Sequence, residues 1–171
     1  VVHQFSLFDE VECDNYNNVD KIKLNKAKVI VFSPGPGNPK NYPLTSKIYN
    51  QFKGKKKIIG ICLGFQQILF CEGAQIVEQN KIYHGYQSNI KVNSKNSLFK
   101  KNQIFKVGRY HSLKLKEPFY AENFDITMRC VISGAAMSFE NNIDKIYGFQ
   151  FHPESFLTIN GNFLIKKILS S

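Results

Sequence analysis

The sequence predicts an α/β fold, with a mostly parallel central sheet, helices on both faces and a mixed-sheet or hairpin extension. Three observations carry this reading. Lys28-Val29-Ile30-Val31-Phe32 and Lys57-Ile58-Ile59-Gly60-Ile61 are apolar at nearly every position instead of alternating, which is the pattern of strands buried on both faces. Each run leads into a stretch with helical periodicity, so strand and helix alternate as they do around a parallel sheet. After residue 75 the pattern changes to short strands and turns, which suits hairpins better than crossovers.

The elements follow in order. Residues 1–8 read as the end of a helix, and 10–13 as a short strand before the polar turn Asp14-Asn15-Tyr16-Asn17-Asn18. The first buried run enters Ser33-Pro34-Gly35-Pro36-Gly37-Asn38-Pro39, where proline and glycine end the strand. A helix is expected over 43–53, and the second buried strand passes through Gly60-Ile61-Cys62-Leu63-Gly64 into a helix ending near Cys71. A last helix spans Gly161 to Leu169. No repeat, low-complexity linker or shift of composition divides the chain, so residues 1–171 are expected to form a single domain.

Composition narrows the function classes. Hydrophobic residues make up 43% of the chain, ordinary for a globular protein, and no apolar run approaches the ~20 residues that span a bilayer. Val1-Val2-His3-Gln4-Phe5 has neither the basic start nor the apolar core of a signal peptide. Cys13, Cys62, Cys71 and Cys130 are widely separated, which fits neither a zinc site nor a disulfide framework. A reducing cytoplasm, free thiols and no membrane association are the expectation. The net charge of +10 invites a nucleic-acid partner, but all basic residues except Arg109 and Arg129 are lysines. No nucleic-acid motif accompanies them, even around Lys53, Lys55, Lys56 and Lys57. The charge is read as a solvated surface, with no nucleic acid bound.

The chemistry begins at Cys62. A side chain in the turn from a buried parallel strand to a helix projects at the carboxyl edge of the sheet, where such folds bind ligands. Gly60-Ile61-Cys62-Leu63-Gly64 has the form of a nucleophile elbow, G-x-S-x-G, with cysteine in place of serine. Its glycines permit a tight turn and a close approach of strand to helix. The helix N-terminus favours thiolate, and the N–H of Leu63 is free for a developing oxyanion. Because cysteine is also a common core residue, this motif alone does not distinguish catalysis from packing.

A second constellation does. In Phe149-Gln150-Phe151-His152-Pro153-Glu154-Ser155, proline biases His152 toward extended geometry, in which residues two apart share a side. His152 and Glu154 then lie together, the imidazole as acid and base and the carboxylate fixing its tautomer. The Ser33–Pro39 turn offers exposed glycine N–H groups at the same sheet edge, able to hold a negative oxygen or simply to act as a rigid turn. It is not a P-loop, since no Gly-Lys-Ser/Thr follows.

SPGPGNP, GICLGFQ, GRYHSL and GFQFHPES, in this order and spacing, resemble the class I (triad-type) glutamine amidotransferases over essentially the whole chain. Within that class they are most similar to the small subunits of anthranilate synthase and aminodeoxychorismate synthase. The resemblance implies that Cys62 attacks the side-chain amide of L-glutamine, with His152 managing protons and Glu154 orienting it. It implies that Leu63 and Gly35 hold the oxyanion, that Gly37 and Gln66 line the glutamine pocket, and that Ser112 and Leu113 contact the substrate α-carboxylate through their backbone. His111 is then a loop residue, not the base. No metal or cofactor is implied in this subunit. Ammonia passes to a large chorismate-binding synthase subunit, which uses Mg2+, in either the tryptophan or the folate branch. A γ-glutamyl hydrolase or peptidase-like thiol hydrolase would share the elbow without needing SPGPG or YHSL.

The sequence departs from the family pattern in two places. Relatives begin with a buried strand and a DNYDSF-like motif, whereas this chain opens within the following helix; residues upstream of Val1 are the expected explanation. His84-Gly85-Tyr86-Gln87-Ser88 stands where relatives often read HGKTS, a change that bears on the partner contact or on the coupling of glutaminase activity to it.

Overall fold

A computed structural model describes residues 1–171. Two apolar strands organise it: β1 (Val29–Phe32) and β2 (Lys57–Ile61) run parallel, with Val31 opposite Ile59 and Phe32 opposite Gly60. β9 (Ile146–Phe149) lies parallel on the other side of β2, with Ile61 opposite Phe149. The same sheet continues antiparallel through β8 (Ala136–Asn141), β7 (Asp125–Cys130), β4 (Tyr86–Val92) and β5 (Ile104–Arg109). A separate ribbon pairs β3 (Ile76–Glu78) with β6 (Leu113–Leu115). The parallel sheet with a mixed extension is therefore observed, and both parts belong to one seven-stranded sheet.

Both sheet faces are covered, as the continuous apolar runs require. On one face Ile59, Ile61, Tyr147 and Phe149 pack with Phe5 of α1 (Val2–Ser6) and with Leu164, Ile165 and Ile168 of α5 (Gly161–Leu169). On the other, Ile30, Phe32, Ile58 and Ile146 meet Tyr49 and Phe52 of α3 (Pro43–Phe52) and Phe65, Ile68 and Leu69 of α4 (Leu63–Cys71). The split between Ile58 and Ile59 is the period-2 alternation of a strand. α3 starts at Pro43, where proline loses no helical hydrogen bond. α4 is buried from Leu63 through Leu69, which is why its sequence is apolar on more than one face.

Two local expectations change. Residues 10–13 do not form a strand: no neighbouring strand runs beside them, and an isolated extended segment has no ladder to hold it. Glu12 instead pairs with Lys23 of α2 (Lys21–Lys26), a short helix not anticipated from the sequence. α2 exists through its cap, since Asp20 Oδ1 accepts from Ile22 N at 2.8 Å and Lys23 N at 3.3 Å. It buries no residue, so no apolar stripe marks it in the sequence.

The topology has one consequence for chemistry. The carboxyl ends of β1, β2 and β9 open at the same edge, bringing together the Ser33–Pro39 turn, Cys62 and the segment after Phe149.

Candidate active site

The bend after β2 is as tight as the paired glycines suggest. A Cβ on Gly60 would lie 2.5 Å from the Gly64 carbonyl carbon, and one on Gly64 would overlap the Phe32 carbonyl oxygen at the end of β1. Strand and helix are in backbone contact at both positions, and only glycine fits. Cys62 at the apex has φ 53° and ψ −100°, a conformation that costs a non-glycine residue roughly 1–3 kcal/mol. Its N–H still continues the sheet ladder to Phe149 O at 2.7 Å, and its carbonyl accepts from Gln66 N at 3.1 Å, starting α4. The sulfur is thus held at the helix N-terminus, on a residue only 7% exposed.

The Ser33–Pro39 turn packs against this elbow. A Cβ at Gly35 would stand 2.9 Å from Leu63 Cδ2, so the glycine allows the turn to approach the residue after the cysteine. The N–H groups of Gly35 and Gly37 donate to no protein acceptor. The Leu63 N–H is in the first turn of α4, where helical donors have no partner four residues back. The turn is rigid: Tyr42 Oη donates to Pro36 O at 2.7 Å, and Asn38 and Asn41 form a reciprocal cap.

His152 is positioned from β5. Its N–H donates to Gly108 O at 3.0 Å, and Thr158 Oγ1 donates to His152 O at 2.6 Å while accepting from Gly108 N at 2.9 Å. The Tyr110 ring stands edge-on to the imidazole at 5.0 Å, its hydroxyl 3.0 Å from Ser155 Oγ. His152 Nδ1 is 2.8 Å from Glu154 Oε1. The pairing is the expected one, but its cause differs. Pro153 and Glu154 are not extended; Ser155 N donates to His152 O at 3.2 Å and closes a turn with proline at its second position. The turn, not strand alternation, brings the carboxylate back to the ring.

The electrostatics follow from burial opposed by contact. Desolvation alone would lower the His152 pKa, but the neighbouring Cys62 sulfur and the Glu154 carboxylate raise it from 6.5 to about 9. Burial would raise the pKa of Glu154, whereas the hydrogen bond and charge of His152 hold it below the usual 4.5. His152 Nε2 is buried and closes no hydrogen bond within the protein, so this nitrogen is the one available for proton exchange. The structure thus brings the Cys62 sulfur, the His152 imidazole and the Glu154 carboxylate together at one sheet edge, an arrangement chemically able to act as nucleophile, acid–base group and orienting carboxylate.

The remaining expected residues divide. Gln66 is 3% exposed and turns its amide inward, donating to Gln150 Oε1 at 3.0 Å and Leu113 O at 3.4 Å. Leu113 is thereby tied to the elbow helix. Ser112 is exposed, and its carbonyl accepts from Gln79 N at 2.9 Å. Gly37 has φ 80°, as the bend of its turn requires. His111 is 5% exposed, and burial lowers its pKa to about 4, opposed by its bond to Leu113 O and helped by Arg109 and His152. It is a neutral structural histidine. No three His, Cys, Asp or Glu side chains converge as a metal site.

Sequence reasoning assigns no role to Gln150, Gly108 or Thr158. Gln150 leaves a signal: it is a polar residue inside an apolar strand end, two places from His152 and hence on the same side. Thr158 leaves none, because its partners come from a strand distant in sequence.

Comparison with known proteins shows the family. The family model described as glutamine amidotransferase class-I matches residues 1–170. Anthranilate synthase component 2 of Lactococcus lactis is 38% identical over 148 residues, covering 85% of this chain and 74% of that protein. Aminodeoxychorismate synthase component 2 of Klebsiella aerogenes is 33% identical over 157 residues, covering 92% and 83%. Among solved structures, a candidate GMP synthase component from Thermoplasma acidophilum superposes with a TM-score of 0.75 at 21% identity, covering 90% of this chain and 77% of that one.

Proposed function

The chain belongs to the class-I glutamine amidotransferases, and from that premise we propose that it is the glutaminase subunit of a chorismate-aminating synthase, anthranilate synthase in the first instance. The observation that carries the chemistry is the convergence of a strained, helix-capping Cys62 with the His152–Glu154 pair at one sheet edge. The choice of acceptor rests on similarity to component 2 of anthranilate synthase.

The Cys62 thiolate attacks the side-chain amide carbon of L-glutamine. The oxyanion lies against the N–H groups of Leu63 and Gly35, donors fixed before the reaction and so spared reorganisation. His152, protonated at Nε2, gives its proton to the departing nitrogen; the C–N bond breaks and ammonia leaves. A γ-glutamyl thioester remains on Cys62. His152, now neutral, takes a proton from water, whose oxygen attacks the thioester and releases glutamate. Glu154 stabilises the imidazolium at each stage without itself accepting the proton. Gly37, Gln66, Ser112 and Leu113 border the glutamine side. No cofactor enters these steps; Mg2+ belongs to the partner, whose large chorismate-binding subunit receives the ammonia. No helix is long and apolar enough to cross a membrane, and free thiols such as Cys62 suit a reducing cytoplasm.

The same subunit serving aminodeoxychorismate synthase is a second reading, supported by the 33% identity to the Klebsiella protein. Co-purification with the large subunit, followed by product identification from chorismate and glutamine, tests both. Anthranilate supports the first branch and aminodeoxychorismate the second. Free ammonia with neither product, in a complex that does form, would reject both.

A further inference from the structure

Behind the nucleophile runs a line of hydrogen bonds whose polarity is fixed at its far end. Arg109 is fully buried with no carboxylate beside it; its guanidinium lies 3.4 Å from the centre of the Tyr83 ring. Arginine can only donate, so Arg109 Nε–H, 3.1 Å from His111 Nε2, makes that nitrogen an acceptor. The His111 proton must then sit on Nδ1, which donates to Leu113 O at 2.8 Å. Gln79 Nε2 also stands 3.2 Å from His111 Nδ1, but Arg109 can only donate and Leu113 O can only accept, so the assignment holds. The Gln79 amide is used instead by His111 O at 2.6 Å, its oxygen facing Arg109 at 3.5 Å.

The same logic continues toward the site. Leu113 O can only accept, so the Gln66 group 3.4 Å away is its NH2, and that NH2 also reaches the Gln150 amide at 3.0 Å. Gln150 must present oxygen to Gln66, which turns its own NH2 to Cys62 Sγ at 3.8 Å. Gln150 is 0% exposed, and its main chain is held by the bond from its N–H to Met137 O at 2.9 Å. Neither end of this line leaves a choice of amide orientation.

We infer that Gln150 is a positioning residue for the nucleophile: its fully buried side-chain N–H donates to Cys62 Sγ, holding the sulfur and favouring its anionic form. This rests on the assignment of Cys62 as nucleophile. Gln150 is fully buried and reaches Cys62 Sγ, so it acts through the sulfur. The role also accounts for a buried amide in an otherwise apolar strand end, where leucine would pack without any need for partners.

The test is the pH dependence of Cys62 alkylation by iodoacetamide, read by peptide mapping so that Cys13, Cys71 and Cys130 do not contribute. Gln150→Met keeps length and removes the donor. Gln66→Met leaves Gln150 in place but frees its amide to rotate. For Gln150→Met the alkylation profile is expected to move to higher pH, with about tenfold slower labelling at neutral pH. For Gln66→Met the shift is in the same direction and smaller. In complex with the synthase subunit, Gln150→Met is expected to lower kcat with KM for glutamine within about twofold, as loss of a transition-state interaction requires. An unmoved midpoint in a folded Gln150→Met protein would overturn the inference, as would a rise in KM alone. If Gln150→Met does not fold, the Gln66→Met profile decides, and an unmoved midpoint there has the same force. Alkylation does not require turnover. Retained ammonia release in Cys62→Ser would therefore reject the nucleophile itself, while a shifted midpoint would still report the Gln150 contact.

Discussion

The two halves of the proposed triad follow neighbouring parallel strands, yet they are held in place by different physics. Cys62 sits in a bend closed chiefly by steric contact: glycines at 60 and 64 let backbone touch backbone, and the cysteine between them has φ 53°. His152 is fixed by hydrogen bonds and ring contact: Gly108, Thr158, Glu154 and Tyr110 each hold one part of it. Steric confinement fails abruptly when an atom is added. A hydrogen-bonded frame fails by degrees as partners are removed. That difference predicts how each half breaks.

The largest effect is expected where chemistry and not position is lost. Cys62→Ala, assayed for ammonia release from glutamine in complex with the synthase subunit, should lose at least ~10³-fold in rate while still folding, with a modestly lowered melting temperature because the buried Gln150 amide loses its acceptor. The next effect tests confinement. Gly64→Ala places a methyl group on the Phe32 carbonyl, and the fold has to open there. We expect a loss of about 4 kcal/mol or more in chemical denaturation, and poor soluble yield. A stable, active Gly64→Ala protein would dissolve the contrast.

On the hydrogen-bonded side the losses should be graded. Glu154→Gln removes the charge that helps keep His152 protonated, and glutaminase activity should fall by about 10²-fold while the fold persists. Its pH signature is specific. The His152 pKa is raised from 6.5 to about 9, so the stabilisation is complete below pH 6.5 and fades as pH rises through about 9. Glu154 is displaced downward from 4.5, so its share is present above that pH and lost on acidification. Melting of the parent should weaken between pH 6.5 and 9, by on the order of 2 kcal/mol, with a smaller change in Glu154→Gln. A decline of the same size in both would show that the carboxylate does not hold the ring. The smallest effect is expected of Thr158→Val, which removes both hydroxyl bonds beside His152. A loss of about 1–2 kcal/mol and a severalfold fall in activity should follow, measured by thermal melting and ammonia release.

The same division governs what the sequence can disclose. Confinement is local, so Gly60-x-Cys62-x-Gly64 is visible in the sequence; the reason for each glycine lies within a few residues or on the preceding strand. Likewise the buried strands at 28–32 and 57–61 are legible as nearly unbroken apolar runs, α3 and α4 as the helical stretches that follow them, and α5 as the last helix of the chain. The frame around His152 is non-local. Thr158 and Gly108 meet through a bridge between segments far apart in the chain, and no periodicity records it. The turn at Pro153 reads as extended in the sequence because proline suits both geometries, and only the bond from Ser155 N to His152 O decides between them. The strand expected at 10–13 fails for a related reason: β propensity is local, but a strand requires a neighbour. α2 is hidden because its cap, not an apolar face, defines it.

Acid-quench mass spectrometry during glutamine turnover tests the central claim most directly. The peptide carrying Cys62 should bear a γ-glutamyl adduct that is lost on treatment with hydroxylamine, and Cys62→Ser should show neither adduct at Cys13, Cys71 or Cys130 nor ammonia. Sustained ammonia release by the Cys62→Ser protein, or a glutamyl adduct on another cysteine of the parent, would contradict the account.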